Sequence, residues 1–284
     1  SHYTKIPWNL LLGKLLYFTL EPVQVEVKVD VSLLSETPKA DILIVRRSTP
    51  HWTDEQRQWL ADGLRHTESS HLLIEFKYTE GVNLKALQQL NAYDYFYRIG
   101  SKHSEQDVAC FLISASTPQG DWQQQLGFIA TEWPGVYQGT GLLLQRVQII
   151  LLNELSDAPN NVPIKCFASK RKVRNQAFVS TRTSGFIYFT ATIERFIAGL
   201  WRVFMPNAPA YTTEITPERV MEMGQEWIDA IIDSAPLEKI LKRYKPNEVL
   251  GYYKPDEILD HYKPDEVLDH YKPEQRLAGL TEEQ

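Results

Sequence analysis

The chain has 284 residues, of which 43% are hydrophobic and 11% aromatic, enough for a large folded core, so wholesale disorder is excluded. No apolar run approaches the ~18–20 residues that span a bilayer, so we expect no membrane partner, and the first residues lack the pattern of a secretory leader. The net charge of −6 does not exclude a nucleic-acid partner, because acidic residues crowd the last part of the chain whereas residues 165–176 are basic.

The two cysteines, Cys110 and Cys166, lie in the apolar contexts VACFLI and IKCFAS. Their spacing is not that of a metal site, and apolar neighbours indicate buried thiols rather than a disulfide. Free thiols are typical of a reducing compartment, so the sequence predicts a cytoplasmic protein.

The hydrophobic pattern switches between the strand and the helix period, which predicts an α/β protein. Residues 23–31, VQVEVKVDV, alternate apolar and polar residues as a half-buried strand does. In chain order the first predicted elements are a helix at 7–18, strands at 23–31 and 40–47, and an insertion at 49–70 that contains a short helix capped by Thr53. A strand at 71–78 is followed by a helix at 83–100, with Asn83 as N-cap and Gly100 as stop. The remaining predicted strands lie at 107–116, at either side of the Pro-Gly turn within 127–139, and at 147–156, and the last predicted helices lie at 186–204 and 216–235.

The end of the chain contains an internal repeat with a period of nine residues, in which Tyr244, Tyr253, Tyr262 and Tyr271 are in phase. The proline of each repeat fits the first turn of a helix but disfavours helical geometry at the preceding lysine. We therefore expect a stack of short helical turns that mediates self-association, giving a homodimer or a higher homo-oligomer.

Charged residues in the apolar strand at 71–78 predict a site. Glu75 and Lys77 are two residues apart and so share one face of the strand, and Asp41, in the preceding apolar strand, would stand beside them if the two strands pair. Two carboxylates suit Mg²⁺, which also takes waters and phosphate oxygens as ligands. The lysine could orient or deprotonate an attacking water, or stabilise charge on phosphorus, so this set predicts phosphodiester hydrolysis.

These residues resemble a known family. The pattern P-x-x-D at Pro38–Asp41, E-F-K at Glu75–Lys77, and the strand–strand–helix–strand order are similar to the PD-(D/E)xK nuclease superfamily. The helix that follows has Q-x-x-x-Y at Gln89–Tyr93, which resembles the motif of the RecB-like branch. The chain as a whole, with its repeats, resembles the recombination-promoting nuclease (transposase-like) group, particularly cyanobacterial-type members.

The resemblance implies a Mg²⁺- or Mn²⁺-dependent DNA endonuclease, active in DNA transfer or defence. Asp41 and Glu75 would be the metal ligands, Lys77 the catalytic base or charge stabiliser, and Gln89 and Tyr93 would position the substrate or a water. It also implies a restriction-endonuclease-like mixed sheet flanked by helices. The expected regions are a nuclease-like domain at 1–165, a helical region at 166–235 and the repeat tail at 236–284.

The sequence departs from the family pattern, since Asp41 follows Pro38 by three positions rather than one and a long segment separates Asp41 from Glu75. Many such folds also use a glutamate from the first helix. The nearby candidates in this chain are Glu21 and Glu26.

Other interpretations of these residues remain open at this point. Glu75 and Lys77 could form a surface salt bridge on an edge strand, which would stabilise the protein little. Gln89 and Tyr93 could be polar groups that pack between elements, and Asp94 is expected to face solvent. A basic segment is either a solvated loop or a surface that contacts DNA phosphates; its residues are Lys170, Arg171, Lys172 and Arg174.

Three functions follow from the sequence. The first is an active DNA endonuclease. The second is a non-catalytic DNA-binding or assembly protein on a nuclease scaffold, with the tail as its interaction surface. The third adds regulation, because the acidic tail could mimic phosphate and occupy a basic cleft. The intact Asp41, Glu75 and Lys77 favour the first function over the second.

Overall fold

The computed structural model of the protein describes residues 6–32, 39–47, 49–181, 189–205 and 215–234. The chain divides into two compact units, residues 1–228 and 229–284, and residues 229–234 of the second unit are the end of a helix. Pro38 and the predicted repeats of the tail lie outside the described residues. The elements that position the candidate site all belong to the first unit.

Within the described residues, seven strands form one mixed sheet in the order β1-β2-β3-β4-β7-β6-β5. The pairs β3–β4 and β4–β7 are parallel and the other neighbours are antiparallel. The strands are β1 (Val25–Ser32), β2 (Lys39–Arg46), β3 (His71–Lys77), β4 (Val108–Ser114), β5 (Phe128–Ala130), β6 (Val136–Gly139) and β7 (Val147–Leu151). The parallel strands end at the same edge of the sheet, and Lys77 and Ser114 are paired there.

Helices cover both faces of the sheet, because the central strands are apolar on both sides. The α-helices of the described residues are α1 (Trp8–Leu20), α2 (Asp54–Arg57), α3 (Leu84–Ser101), α4 (Trp122–Leu126), α5 (Val162–Lys165), α6 (Arg171–Ser180), α7 (Ala191–Val203) and α8 (Pro217–Ser234). One apolar cluster joins one sheet face to α1, α5, α6, α7 and the start of α8, and a second joins the other face to α3. This arrangement confirms the predicted α/β mixed sheet flanked by helices.

The insertion between β2 and β3 packs against the segment between β7 and α5. Its helix α2 has the predicted cap at Thr53, whose hydroxyl accepts from the Gln56 N–H. Beyond α2, Asp62 accepts hydrogen bonds from the side-chain amides of Asn160 (3.1 Å) and Asn161 (2.7 Å), both buried. These bonds satisfy a buried carboxylate, so the insertion belongs to the core of the unit rather than to a loose loop.

Several predictions about elements are wrong in detail. Helix α3 continues past Gly100 and ends where Lys102 adopts a left-handed conformation, its N–H bonding Arg98 and Ile99 carbonyls. The last predicted strand is shorter than expected, since the chain turns after Leu151.

Cys110 and Cys166 are buried free thiols, as predicted, and burial raises the pKa of both. Among the described residues we find no helix whose length and apolar character would let it cross a membrane.

Asp94 does not face solvent as expected. It lies buried on α3 and forms ion pairs with Arg98 (3.0 Å) and with Arg146 (3.3 Å). Arg146 lies in the segment just before β7. Asp94 therefore links α3 to the start of β4, because Arg146 also donates to the carbonyl of Val108. The aspartate has a structural role, fixing the helix that carries Gln89 and Tyr93.

Candidate active site

Glu75 and Lys77 lie at the end of β3, which is the third strand of the sheet and has neighbours on both sides. Glu75 is only 2% exposed, and its Oε1 lies 2.8 Å from the Lys77 Nζ. The interpretation as a surface salt bridge on an edge strand is therefore wrong. Burial of this pair requires compensating interactions, because taking both charges out of water is costly.

Asp41 stands beside this pair where β2 and β3 separate. The last paired residues of the two strands are Ile42 and Ile74, so the register continues from Asp41 to Glu75. Beyond that pair, Asp41 Oδ2 accepts the backbone N–H of Phe76 at 2.9 Å. The structure thus brings Asp41, Glu75 and Lys77 together at the edge where the parallel strands end.

The electrostatics of the three groups are coupled. Burial, and secondly the negative charge of Asp41, raises the pKa of Glu75 to about 7. Burial also raises the pKa of Asp41, against the opposing effects of the Phe76 N–H and of Lys77. For Lys77, burial alone would lower the pKa, but its hydrogen bond to Glu75 and the nearby carboxylates outweigh burial and raise it. At neutral pH Lys77 is therefore an ammonium group.

One oxygen of Glu75 has no partner among the described residues. Oε1 lies 2.8 Å from Lys77 Nζ, whereas Oε2 is buried and makes no hydrogen bond with a described residue. A buried carboxylate oxygen without a donor costs free energy, which is why such atoms are rare in folded proteins. This orphan oxygen is the feature of the site that most needs a physical explanation.

Gln89 and Tyr93 lie on α3, which packs on the sheet face that carries Glu75 and Lys77. Asn83 caps the helix by accepting from the Ala86 N–H at 2.9 Å, as predicted. Gln89 donates its side-chain amide to the Tyr93 hydroxyl, one helical turn away. Burial raises the pKa of Tyr93 against the opposing effect of the Gln89 hydrogen bond, and the charges of Glu75 and Asp41 raise it further.

Two residues of the site were not foreseen. Asn9, in the first turn of α1, donates its side-chain Nδ2 to Asp30 Oδ1 at 3.0 Å and to Asp41 Oδ1 at 3.3 Å. Val29 and Val31 pair with Ile42 and Ala40, so the register places the unpaired Asp30 opposite Asp41. Asp30 adopts φ of 52°, which is unusual for a residue other than glycine. The register could have indicated Asp30, but nothing in the sequence pointed to Asn9.

Neither predicted glutamate completes the site. Glu26 pairs with Val45 across the sheet, toward the opposite end of β2 from Asp41, and forms an ion pair with Arg47. Glu21 follows the last residue of α1, about 18 Å along the helix axis from Asn9 at 1.5 Å per residue. The first helix therefore reaches Asp41 through its N-terminal turn, not through its C-terminal end.

The basic segment begins at the same edge of the sheet. The Ser169 N–H donates to the Ala115 carbonyl, and the Ala115 N–H donates to the Lys77 carbonyl, both at 2.9 Å. The segment then enters the first turn of α6, so it is not a free loop. The side chains of Lys170, Arg171 and Lys172 are exposed and form no ion pair with any described residue.

Arg174 differs from the other cations of this segment. Its Nη1 donates to the Ala168 carbonyl at 2.8 Å and the Ser169 carbonyl at 3.1 Å, and its guanidinium lies 4.2 Å from the Phe204 ring centre. Burial lowers the pKa of Arg174. Arg174 therefore holds the start of α6 in place, whereas the three exposed cations are available to a ligand.

The possible metal donors of the site are carboxylate oxygens. No three His, Cys, Asp or Glu side chains in the described ranges converge closely enough to hold an ion on their own. Asp41 and Glu75 supply two carboxylates, and a Mg²⁺ site of this kind takes its remaining ligands from water and phosphate. The orphan Glu75 Oε2 is an oxygen donor of the hard type that Mg²⁺ and Mn²⁺ prefer. The residues present thus fit a divalent ion held jointly with a substrate.

We compared the chain with models of protein families, with curated proteins and with solved structures, and none of the three comparisons found a match.

Proposed function

We propose that this protein is a divalent-metal-dependent DNA endonuclease that hydrolyses phosphodiester bonds. The observation that carries the proposal is Glu75, a carboxylate buried to 2% exposure whose Oε2 has no partner in the described part of the chain, next to Asp41 and Lys77. Most buried side-chain polar atoms of folded proteins have a hydrogen-bond partner, in structural ion pairs too. A site that binds a cation instead keeps an oxygen free for it, and the Glu75 geometry supports that function.

Asp41 and Glu75 would hold Mg²⁺ or Mn²⁺, which when bound would polarise a phosphoryl oxygen and lower the pKa of an attacking water. Asp41 is suited to this task because the Phe76 N–H and the Asn9 amide fix both of its oxygens. The Glu75 carboxylate is fixed by Lys77 on one oxygen only.

Lys77 would stabilise negative charge on the phosphate rather than act as a base. Its carboxylate neighbours raise its pKa, so in the metal-free protein the group holds its proton at neutral pH and can donate it in a hydrogen bond. The ammonium has three N–H bonds, and its nitrogen lies 2.8 Å from Glu75 Oε1 and 3.6 Å from Glu80 Oε2, which leaves at least one N–H to reach a phosphate oxygen. Of the two roles expected for this lysine, charge stabilisation is therefore the one proposed.

Tyr93 would donate a hydrogen bond toward the reacting groups. Its hydroxyl oxygen accepts from the Gln89 amide, so its own proton is free to bond a water or a phosphate oxygen. Gln89 thereby orients the hydroxyl without contacting the substrate. The burial of the tyrosine ring in the cluster that includes Leu90 keeps this donor in place.

The exposed cations at the start of α6 support a nucleic acid as substrate. They lie at the sheet edge that carries Lys77 and have no acidic partner among the described residues, so each can contact a phosphate. Positive side chains at a helix N-terminus are repelled by the positive end of the helix dipole, and an anionic ligand would offset this repulsion. The favourable partner of this surface is therefore a polyanion.

A plasmid-nicking assay tests the proposal. Wild-type protein should convert supercoiled plasmid to nicked and linear forms with Mg²⁺ or Mn²⁺ and not with EDTA, and Lys77→Ala should lose at least about 100-fold in rate, as expected when a group that stabilises transition-state charge is removed. Lys85→Ala, which removes an exposed lysine from α3, is the matched control and should cleave normally. Equal rates for wild type and Lys77→Ala would refute the role of Lys77. Binding of DNA without cleavage by the wild type would favour the non-catalytic DNA-binding or assembly protein.

A further inference from the structure

Asn9 joins three elements at the candidate active site. It lies in the first turn of α1, and its Nδ2 donates to Asp30 Oδ1 on β1 and to Asp41 Oδ1 on β2, at 3.0 and 3.3 Å. The other oxygen of Asp41 accepts from the Phe76 N–H of β3. The Asp41 carboxylate is therefore held at both oxygens, by a helix on one side and a strand on the other.

The packing of α1 explains how Asn9 reaches this position. The buried leucines of the helix pack in the same cluster as Val25, Val27 and Ile42 of the first two strands, with Leu11 and Leu12 closest in sequence to Asn9. Gly13 faces Val29, and a Cβ at this position would come within 2.5 Å of the valine side chain. The helix thus lies close against β1, near the point where Asp30 stands opposite Asp41.

Asp30 makes the bridging amide necessary. It is exposed, its register places it opposite Asp41 on the neighbouring strand, and it has a positive φ of 52°, a conformation that is unfavourable for an aspartate. Two carboxylates at adjacent positions repel each other, and a neutral N–H donor between them offsets that repulsion. Without the Asn9 donor, the Asp41 carboxylate would keep only its bond to Phe76 and could turn away from Asp30.

We propose that Asn9 is a positioning residue of the metal site, holding the Asp41 carboxylate in the orientation that binds the divalent ion. The inference rests on the proposed function, since it gives Asn9 a task at the same site. Asn9 does not bind the metal in this scheme. It acts through Asp41, in the way that hydrogen-bond partners of metal ligands set ligand orientation and affinity.

The test measures Mn²⁺ binding to the full chain by titration calorimetry, without DNA. Asn9→Leu removes the amide at similar size, and Asn9→Gln keeps an amide donor on a longer side chain. We expect Asn9→Leu to bind Mn²⁺ about 10- to 100-fold more weakly than wild type, the usual effect of losing a partner of a metal ligand, and Asn9→Gln to recover part of that loss. Asn91→Leu on α3 is the control, because the Asn91 side chain forms no hydrogen bond with a described residue, and it should bind as wild type does.

Cleavage assays give an independent readout. If Asn9 acts through the metal site, the Mg²⁺ concentration for half-maximal cleavage should rise about 10-fold or more in Asn9→Leu, and saturating Mg²⁺ should restore most of the maximal rate. A residue that only stabilises the fold would lower the amount of active protein at every Mg²⁺ concentration and leave this midpoint unchanged. Circular dichroism and thermal melting identify a misfolded variant, in which case Asn9→Ala replaces Asn9→Leu.

The outcomes separate this inference from the proposed function. Mn²⁺ binding by wild type together with equally tight binding by folded Asn9→Leu would overturn the role of Asn9 and leave the metal site intact. Absence of Mn²⁺ binding and of cleavage in the wild type would overturn both. Weaker binding by Asn9→Leu with an unchanged Asn91→Leu control would support the positioning role.

Discussion

Phe76 donates its backbone N–H to the side chain of Asp41 at 2.9 Å, just beyond the last paired residues of β2 and β3. In a regular antiparallel ladder a backbone carbonyl accepts such a bond. Here a carboxylate replaces the carbonyl because the strands separate, and the residues on either side of Phe76 are Glu75 and Lys77. Asp41 thus satisfies a backbone donor of β3 and also supplies a charge to the candidate site.

These two tasks of Asp41 can be separated by substitution. Asp41→Asn keeps one oxygen that can accept from Phe76 but removes the charge and the acceptor for the Asn9 amide, so the melting temperature should fall less than in Asp41→Ala while Mn²⁺ binding and cleavage are lost. Asp41→Ala leaves the Phe76 N–H without its acceptor and should lower the free energy of unfolding by about 1–3 kcal/mol. Thermal or urea unfolding, together with Mn²⁺ titration, checks both results. Equal destabilisation by the two variants would contradict the acceptor role.

The raised pKa of Glu75 predicts a pH-dependent stability of the metal-free protein. The folded-state pKa is about 7, against 4.5 for an ordinary glutamate, so between these values the folded protein binds a proton that the unfolded chain has released. Stability therefore falls as pH rises from about 4.5 to about 7 and stays lower above that, by up to about 3 kcal/mol at 1.36 kcal/mol per pKa unit. Glu75→Gln cannot ionise and should remove this fall.

The measurement is unfolding in EDTA at pH 5 and pH 8. We expect Glu75→Gln to be more stable than wild type at pH 8 and closer to it at pH 5, although it loses cleavage. Glu132→Gln, an exposed glutamate with no ion pair to a described residue, is the control for one lost negative charge. If the free energies of unfolding of wild type and Glu75→Gln differ by the same amount at both pH values, the raised pKa does not belong to Glu75.

Strand parity and pairing were enough to predict the centre of the site. Residues two apart share a face, so Glu75 and Lys77 had to project together, and the apolar run after Asp41 predicted a neighbouring strand. The N-cap at Asn83 predicted where α3 begins, and the four-residue spacing of Gln89 and Tyr93 places them one turn apart on that helix. These signals are local, or depend on one strand pairing.

The remaining features depend on tertiary packing that local patterns do not encode. Asn9 reaches Asp41 only because α1 lies close against β1, and the pattern of the helix does not specify where its N-terminal turn docks. The burial of Asp94 likewise depends on Arg146, 52 residues away in the sequence. A prediction of a solvent-facing aspartate was therefore reasonable from its helix alone, and wrong.

The sequence repeats of the tail still predict self-association. A nine-residue unit that contributes one tyrosine and two aliphatic residues cannot offset a backbone entropy cost of roughly 1–2 kcal/mol per residue alone, so we expect each repeat to need neighbours. Deleting residues 240–284 should lower the molar mass in light scattering by more than the deleted segment accounts for. Circular dichroism should show that the shortened chain remains folded. An unchanged number of chains per particle would show that the tail has another task.

DNA affinity should depend on the exposed cations at the start of α6. Each lysine that neutralises a phosphate contributes about 0.9 to the slope of log affinity against log salt concentration, so Lys170→Gln/Lys172→Gln should lower that slope by up to about 2. Fluorescence anisotropy with a labelled duplex in EDTA measures the slope without cleavage. Lys85→Gln/Lys102→Gln changes the net charge equally on α3 and at its end, and should leave the slope near that of wild type. Because the two double variants have the same total charge, equal slopes would mean that the DNA responds to the overall charge of the protein and that the segment at the start of α6 is not its binding surface.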